Sequence, residues 1–119
     1  MDILRLFETA ENVENYEAGR TIFEAGDEAR HMYVVLAGEV ELRKDGRTLN
    51  VVGAGSLLGE MALVGDHRRS ASAIARTDLR LAPVNERRFT FLVQQTPFFA
   101  LHVMRVLADR IRQREAAGV

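Results

Sequence analysis

With 119 residues the chain has room for one hydrophobic core and not for a second globular unit, and a balance of 47% hydrophobic to 28% charged residues is that of an ordinary globular domain. A formal charge of −1 leaves no electrostatic footprint for general nucleic-acid binding, and the lack of cysteine excludes disulfides, iron–sulfur clusters and thiolate metal sites. No apolar run reaches membrane-spanning length and Met1-Asp2-Ile3 lacks the layout of a signal peptide, so no membrane partner and a cytoplasmic location are expected.

Apolar positions at Ile3, Leu4, Leu6 and Phe7 predict a short amphipathic helix from Ile3 to Glu11, within residues 1–12. From Tyr16 onward the pattern changes to short strands separated by glycine. Thr21-Ile22-Phe23 precedes a turn at Ala25-Gly26-Asp27, and the apolar run His31 to Leu36 is broken by Gly38. Glu39 to Arg43 alternates strictly, which places Val40 and Leu42 on one face of a strand. Asp45-Gly46 is a hairpin signal, because a tight turn needs positive φ at its centre. Thr48 to Val52 returns, Gly53 and Gly55 follow, and Ser72 to Ala75 and Leu79 to Val84 read as two further strands. So many short strands with regular turns imply a sandwich or barrel.

Pro83 falls near a strand end, where a missing N–H is tolerated. Asn85 is placed to cap a helix over Glu86 to Gln95, and Pro97 fits the first turn of a final helix from Phe98 to Glu115. That last helix carries two apolar stripes. Phe99, Val103 and Val106 form one; Ala100, Met104, Leu107 and Ile111 form a second, close to a heptad seam. One stripe packs on the barrel, and the second either does the same or seeks a partner helix, which makes a homodimer the expected partner state.

The chemistry concentrates between Leu58 and Ala73. Leu58-Gly59-Glu60-Met61-Ala62-Leu63 reads as a tight glycine turn and one short helical turn, whose first N–H groups face outward unpaired. Arg69-Ser70-Ala71 then adds a fixed cation and a hydroxyl. Glu60 amid these anion donors is an acceptor for sugar hydroxyls, a set that suits a phosphate fused to a ribose. Lys44 is the only lysine among 16 Lys and Arg residues, so arginine richness is a compositional habit and not itself a phosphate signal.

The Gly59-Glu60-Met61-Ala62-Leu63 segment, a loop of Val64 to Arg68 and Arg69-Ser70-Ala71 resemble the phosphate-binding cassette of cyclic nucleotide-binding domains. That family includes bacterial catabolite activator proteins and protein kinase A regulatory subunits. The resemblance runs from about Phe7 to Glu115. It implies a mainly β fold with flanking helices: a jelly-roll-like double-stranded β-helix, or β-roll, over residues 13–84 with its cassette at 57–73. Two C-terminal helices would occupy residues 85–116. It further implies that the phosphate of cyclic AMP or cyclic GMP meets the N–H groups of Gly59 to Ala62, Arg69, Ser70 and Ala71. Glu60 would hold the ribose 2′-hydroxyl, and Leu42, Leu49 and Val52 would form an apolar wall. In the family the last helix dimerises many members and its far end caps the base, a role open to Arg110, Arg114 or Glu115. Leu58 stands where phenylalanine is common and Arg68 where many members carry proline.

The register sets Arg69, not Arg68, as the phosphate ligand. His31, His67 and His102 are scattered without a carboxylate at ligand spacing, so neither a metal cofactor nor cupin-type or phosphodiesterase chemistry is expected. No helix-turn-helix, kinase or channel segment follows. Met1 and the tail Ala116 to Val119 favour a free-standing domain over a piece of a longer one, with an unknown effector. The alternative reading is a module that keeps the fold but acts through protein contacts without ligand.

Overall fold

A computed structural model of the chain describes residues 2–116, with side chains as far as residue 113. In chain order the elements are α1 (Ile3–Leu6), β1 (Glu14–Tyr16), β2 (Thr21–Phe23), β3 (His31–Ala37), β4 (Val40–Lys44), β5 (Arg47–Val52) and β6 (Leu57–Leu58). They continue as α2 (Glu60–Val64), β7 (Ser72–Ala75), β8 (Leu79–Asn85), α3 (Glu86–Gln95) and α4 (Phe98–Ala116). The strands form two antiparallel four-stranded sheets, ordered β1-β8-β3-β6 and β2-β7-β4-β5. Neighbours distant in sequence alternate through both, which is the winding of a β-roll.

β3 explains why a roll and not an open sheet forms. Met32, Val34, Tyr33 and Val35 are all buried, although alternate residues point to opposite faces. Tyr33 and Val35 join Val40, Leu58, Ala73, Ala75, Leu79 and Leu81 inside the roll. Met32 and Val34 point outward onto a second core built with Ile3, Phe7, Leu92, Phe99 and Val103 of the helical segments. A strand covered on both faces reads as a continuous apolar run, as His31 to Leu36 does.

The expected turns form with the expected residues. Asp45 and Gly46 both take positive φ (53° and 75°) between β4 and β5, and Asn85 caps α3 by accepting from the Arg88 N–H at 2.8 Å. The N-terminal helix is shorter than expected. It ends at Leu6 because Phe7 turns its ring into the core against Phe99, and the chain must then extend to pair β1 with β8. β1 and β6 are too short to carry a periodicity of their own, so their pairing alone defines them.

α4 is seated by Phe99, whose ring meets those of Phe7 and Phe89 at centroid distances of 6.3 and 5.4 Å. Val103 is buried beside it, and Val106 and Leu107 pack against the same core. Leu107 therefore leaves the expected partner stripe. The outward apolar residues are Phe98, Leu101, Met104 and Ile111.

Candidate functional site

Gly59 turns the chain from β6 into α2 with φ +72°, a left-handed conformation that favours glycine. Space demands glycine as well, since a Cβ there would lie 2.0 Å from Arg69 Nη1. Arg69 enters from the opposite side, on the loop between α2 and β7. Its backbone is clamped to the turn after β2: Gly26 N–H donates to Arg69 O at 2.8 Å, and Arg69 N–H to Asp27 O at 2.9 Å. His67 takes φ +61° in the same loop, and its Nδ1 meets the Ala62 carbonyl at 3.0 Å, tying loop to helix.

Arg69 is 4% exposed. Its Nη1 donates to the carbonyls of His31 (2.8 Å) and Gly59 (3.3 Å), and the guanidinium carbon lies 4.1 Å from the Phe23 ring centroid. Its Nε is buried and has no partner among the described residues, and no ion pair among them includes Arg69. Burial draws its pKa below the ordinary arginine value, opposed by Tyr33 and Asp27. An arginine remains charged nonetheless.

Glu60 is 0% exposed. Its Oε1 accepts from Arg110 Nη1 of α4, and Arg110 Nη2 donates to the Leu57 carbonyl at 2.9 Å. Its Oε2 is buried without a partner among the described residues. A buried unpartnered carboxylate oxygen is costly, so this atom calls for a donor.

Between these groups lies a cleft of about 40 Å³, lined by Phe23, Leu42, Leu58, Gly59, Met61, Ala62, Arg69, Ser70, Ala71 and Arg110. The fold thus gathers most of the expected site residues. Ala62 N–H is already engaged by Gly59 O at 3.1 Å, which leaves fewer free N–H groups than the sequence suggested. Of the expected apolar wall, Leu42 lines the cleft. Leu49 is 58% exposed and Val52 packs half-buried against the interior of the roll, and neither is part of the lining. The side chains of Arg114 and Glu115 lie outside the described residues. Arg110, one of the three candidates for meeting the base, lines the cleft and is the partner of Glu60. Phe23 had no local signal: only the pairing of β2 with β7 brings it to the cleft.

Among the described residues no group of three or more His, Asp or Glu side chains comes together as a metal site, and no helix is long and apolar enough to cross a membrane.

Residues 13–96 match the cyclic nucleotide-binding domain family. The chain is 34% identical over 105 residues to the cyclic AMP receptor protein of Thermus thermophilus, covering 84% of this chain and 49% of that protein. It is 31% identical over 78 residues to the cGMP-dependent protein kinase egl-4 of Caenorhabditis briggsae, covering 66% of this chain and 10% of the kinase. Among solved structures, the catabolite activator protein of Thermus thermophilus superposes with a TM-score of 0.82 at 32% identity, over 96% of this chain and 56% of that one. The chain spans about half or less of the length of these curated relatives. Matched in sequence across the roll and α3 and in fold across nearly its whole length, this chain belongs to the cyclic nucleotide-binding domain family.

Proposed function

We propose that the chain binds a 3′,5′-cyclic purine nucleotide, cyclic AMP in preference to cyclic GMP, as a regulatory sensor that signals by moving α4. The observation that carries this reading is Arg69, a buried cation with no carboxylate partner among the described residues and with its Nε unoccupied. Burying an unpaired charge is costly, so the site is prepared for an anion. Glu60 Oε2 adds an acceptor in want of a donor. A cyclic nucleotide offers both, a singly charged phosphodiester and a ribose 2′-hydroxyl. Ser70 and Ala71 border the phosphate, and Leu42, Leu58 and Met61 provide apolar surface for the base. The preference for cyclic AMP rests on likeness to the cyclic AMP receptor protein. The Ser70 hydroxyl is compatible with either base.

A volume of about 40 Å³ holds little more than one water molecule, whereas small-molecule sites run from about 300 Å³. Entry of a nucleotide therefore requires the cleft to widen. Arg110 ties α4 to Glu60, so widening moves that helix, and the helix carries the signal. The exposed stripe of Phe98, Leu101, Met104 and Ile111 suits a homodimer through α4.

The closed cleft also favours a second reading, a ligand-free module acting through protein contacts. Calorimetric titration with cyclic AMP and with cyclic GMP decides between them. The expected dissociation constant is about micromolar or better. Arg69→Ala weakens binding about ten- to a hundredfold, for a charge-assisted contact of about 1.4–3 kcal/mol, and Arg68→Ala leaves it nearly unchanged. No heat at millimolar ligand selects the ligand-free reading, and equal losses at the two arginines reassign the phosphate ligand.

A further inference from the structure

Buried cations are ordinarily held by carboxylates, and the partly buried Arg110 is so held by Glu60. Arg69, more deeply buried, has no carboxylate partner among the described residues. Its guanidinium carbon lies 4.1 Å from the Phe23 ring centroid and 5.8 Å from that of Tyr33. The two rings stack nearly parallel, at 13° and 6.3 Å between centroids. Tyr33 is itself fixed: it is buried inside the roll, and its hydroxyl shares a hydrogen bond with His31 Nε2 at 2.9 Å. Among the described residues the remaining holds on the Arg69 side chain are two backbone carbonyls, both on Nη1.

The backbone explains how the ring arrives there. β2 pairs with β7 through a register shift between Thr21 and Phe23, and such irregularities re-aim a side chain. Phe23 then stands opposite Ala73, a buried small residue four positions after Arg69.

An aromatic face attracts a cation through its quadrupole but carries no counter-charge. A carboxylate in its place would pair with Arg69 and compete with an incoming phosphate. An aliphatic side chain would leave the guanidinium without an electrostatic guide. We propose that Phe23, backed by Tyr33, is a positioning residue for the anion site. Its ring holds Arg69 against the roll without neutralising it, so that the Nε edge and the full charge remain free for phosphate. This inference rests on the reading of Arg69 as the anion ligand.

Phe23 also lines the cleft, so direct ligand contact must be separated from action through Arg69. The experiment is a double-mutant cycle of wild type, Phe23→Leu, Arg69→Ala and the double variant, titrated with cyclic AMP and unfolded in urea without ligand. Phe23→Tyr is the rescue variant, and Phe23→Met replaces Phe23→Leu should the latter not fold. Phe23→Leu is expected to weaken cyclic AMP binding about three- to tenfold. Phe23→Tyr restores it, and Phe23→Leu has no further effect in the Arg69→Ala background. In urea, the midpoint shifts of the two single variants combine non-additively. Equal losses in both backgrounds overturn the proposal by making Phe23 a direct contact or a fold-supporting residue, as does additivity in urea. A wild type that takes up no cyclic AMP while the urea cycle stays non-additive overturns the nucleotide reading and leaves the Phe23–Arg69 pairing supported.

Discussion

Glu60 has two oxygens in two situations, one satisfied by Arg110 and one without a partner among the described residues. Glu60→Gln keeps the size of the side chain and removes the charge. It should weaken cyclic AMP binding more than binding of the 2′-deoxy analogue, because only the former presents the 2′-hydroxyl. It should also lower stability by up to about 3 kcal/mol, since Arg110 would keep a largely buried charge without its anion. Parallel titrations with the two nucleotides and a urea unfolding curve measure these effects. Equal losses for both ligands would reduce Glu60 to an anchor for Arg110. Gly59→Ala tests the other side of the site. Its Cβ falls on Arg69 Nη1, and the positive φ adds a strain of about 1 kcal/mol or more. Calorimetry should record at least about a tenfold loss of affinity, with a melting temperature lowered by only a few degrees. Glu60 and Arg69 were legible in sequence because they flank one short turn and its loop. Arg110 was visible only as a candidate for the base, since nothing local binds it to a glutamate 50 positions earlier.

At the scale of elements, β3 links core to site. Tyr33 and Val35 fill the roll, Met32 and Val34 hold the helices, and the His31 carbonyl accepts from Arg69. The His31 imidazole touches the Tyr33 hydroxyl, and its pKa is drawn below the ordinary 6.5, first by burial and then by the Arg69 charge, against a weaker opposing pull from Glu14. The folded state therefore favours the neutral ring. Its contribution to stability is fully present above about pH 6.5 and is lost as the pH falls from there toward the lower folded value. The urea midpoint of the wild type should fall between about pH 7.5 and 5.5, and His31→Gln should flatten that fall. An unchanged slope in the variant would remove His31 as its source. Strand and hairpin placement was largely legible, as at Asp45-Gly46 and Glu39 to Arg43, because turn φ and period 2 are local properties. The shortened α1 was not, because its end is set by Phe7 docking on Phe99.

For the whole molecule, the exposed side of α4 is the feature that most invites a partner. Met104 is 62% exposed and lies between Leu101 and Ile111 on a helix whose other stripe is anchored by Phe99 and Val103. Met104→Glu should convert a homodimer to a folded monomer, with nucleotide affinity largely kept, because the substitution puts a charge in the seam and leaves the cleft intact. Light scattering on wild type and variant measures this. A wild type already monomeric at high concentration overturns the assembly. Leu107, which shares the heptad spacing, is the wrong position for that test because it packs against the core.

The features legible before folding are local ones. The left-handed turn at Gly59, the cap at Asn85, the hairpin at Asp45-Gly46 and the spacing of Glu60 to Arg69 follow from φ preferences and hydrogen bonds within a few residues. Together with the alternation of the strands, they were enough to place the chain in its fold. Long-range packing sets which face of α4 is buried, that Arg110 rather than solvent meets Glu60, that Leu49 stands clear of the cleft, and that an aromatic ring lies against Arg69. Those outcomes depend on sheet order and on the rotation of a helix against a core. Both are settled by packing between segments tens of residues apart, for which no local pattern carries a signal.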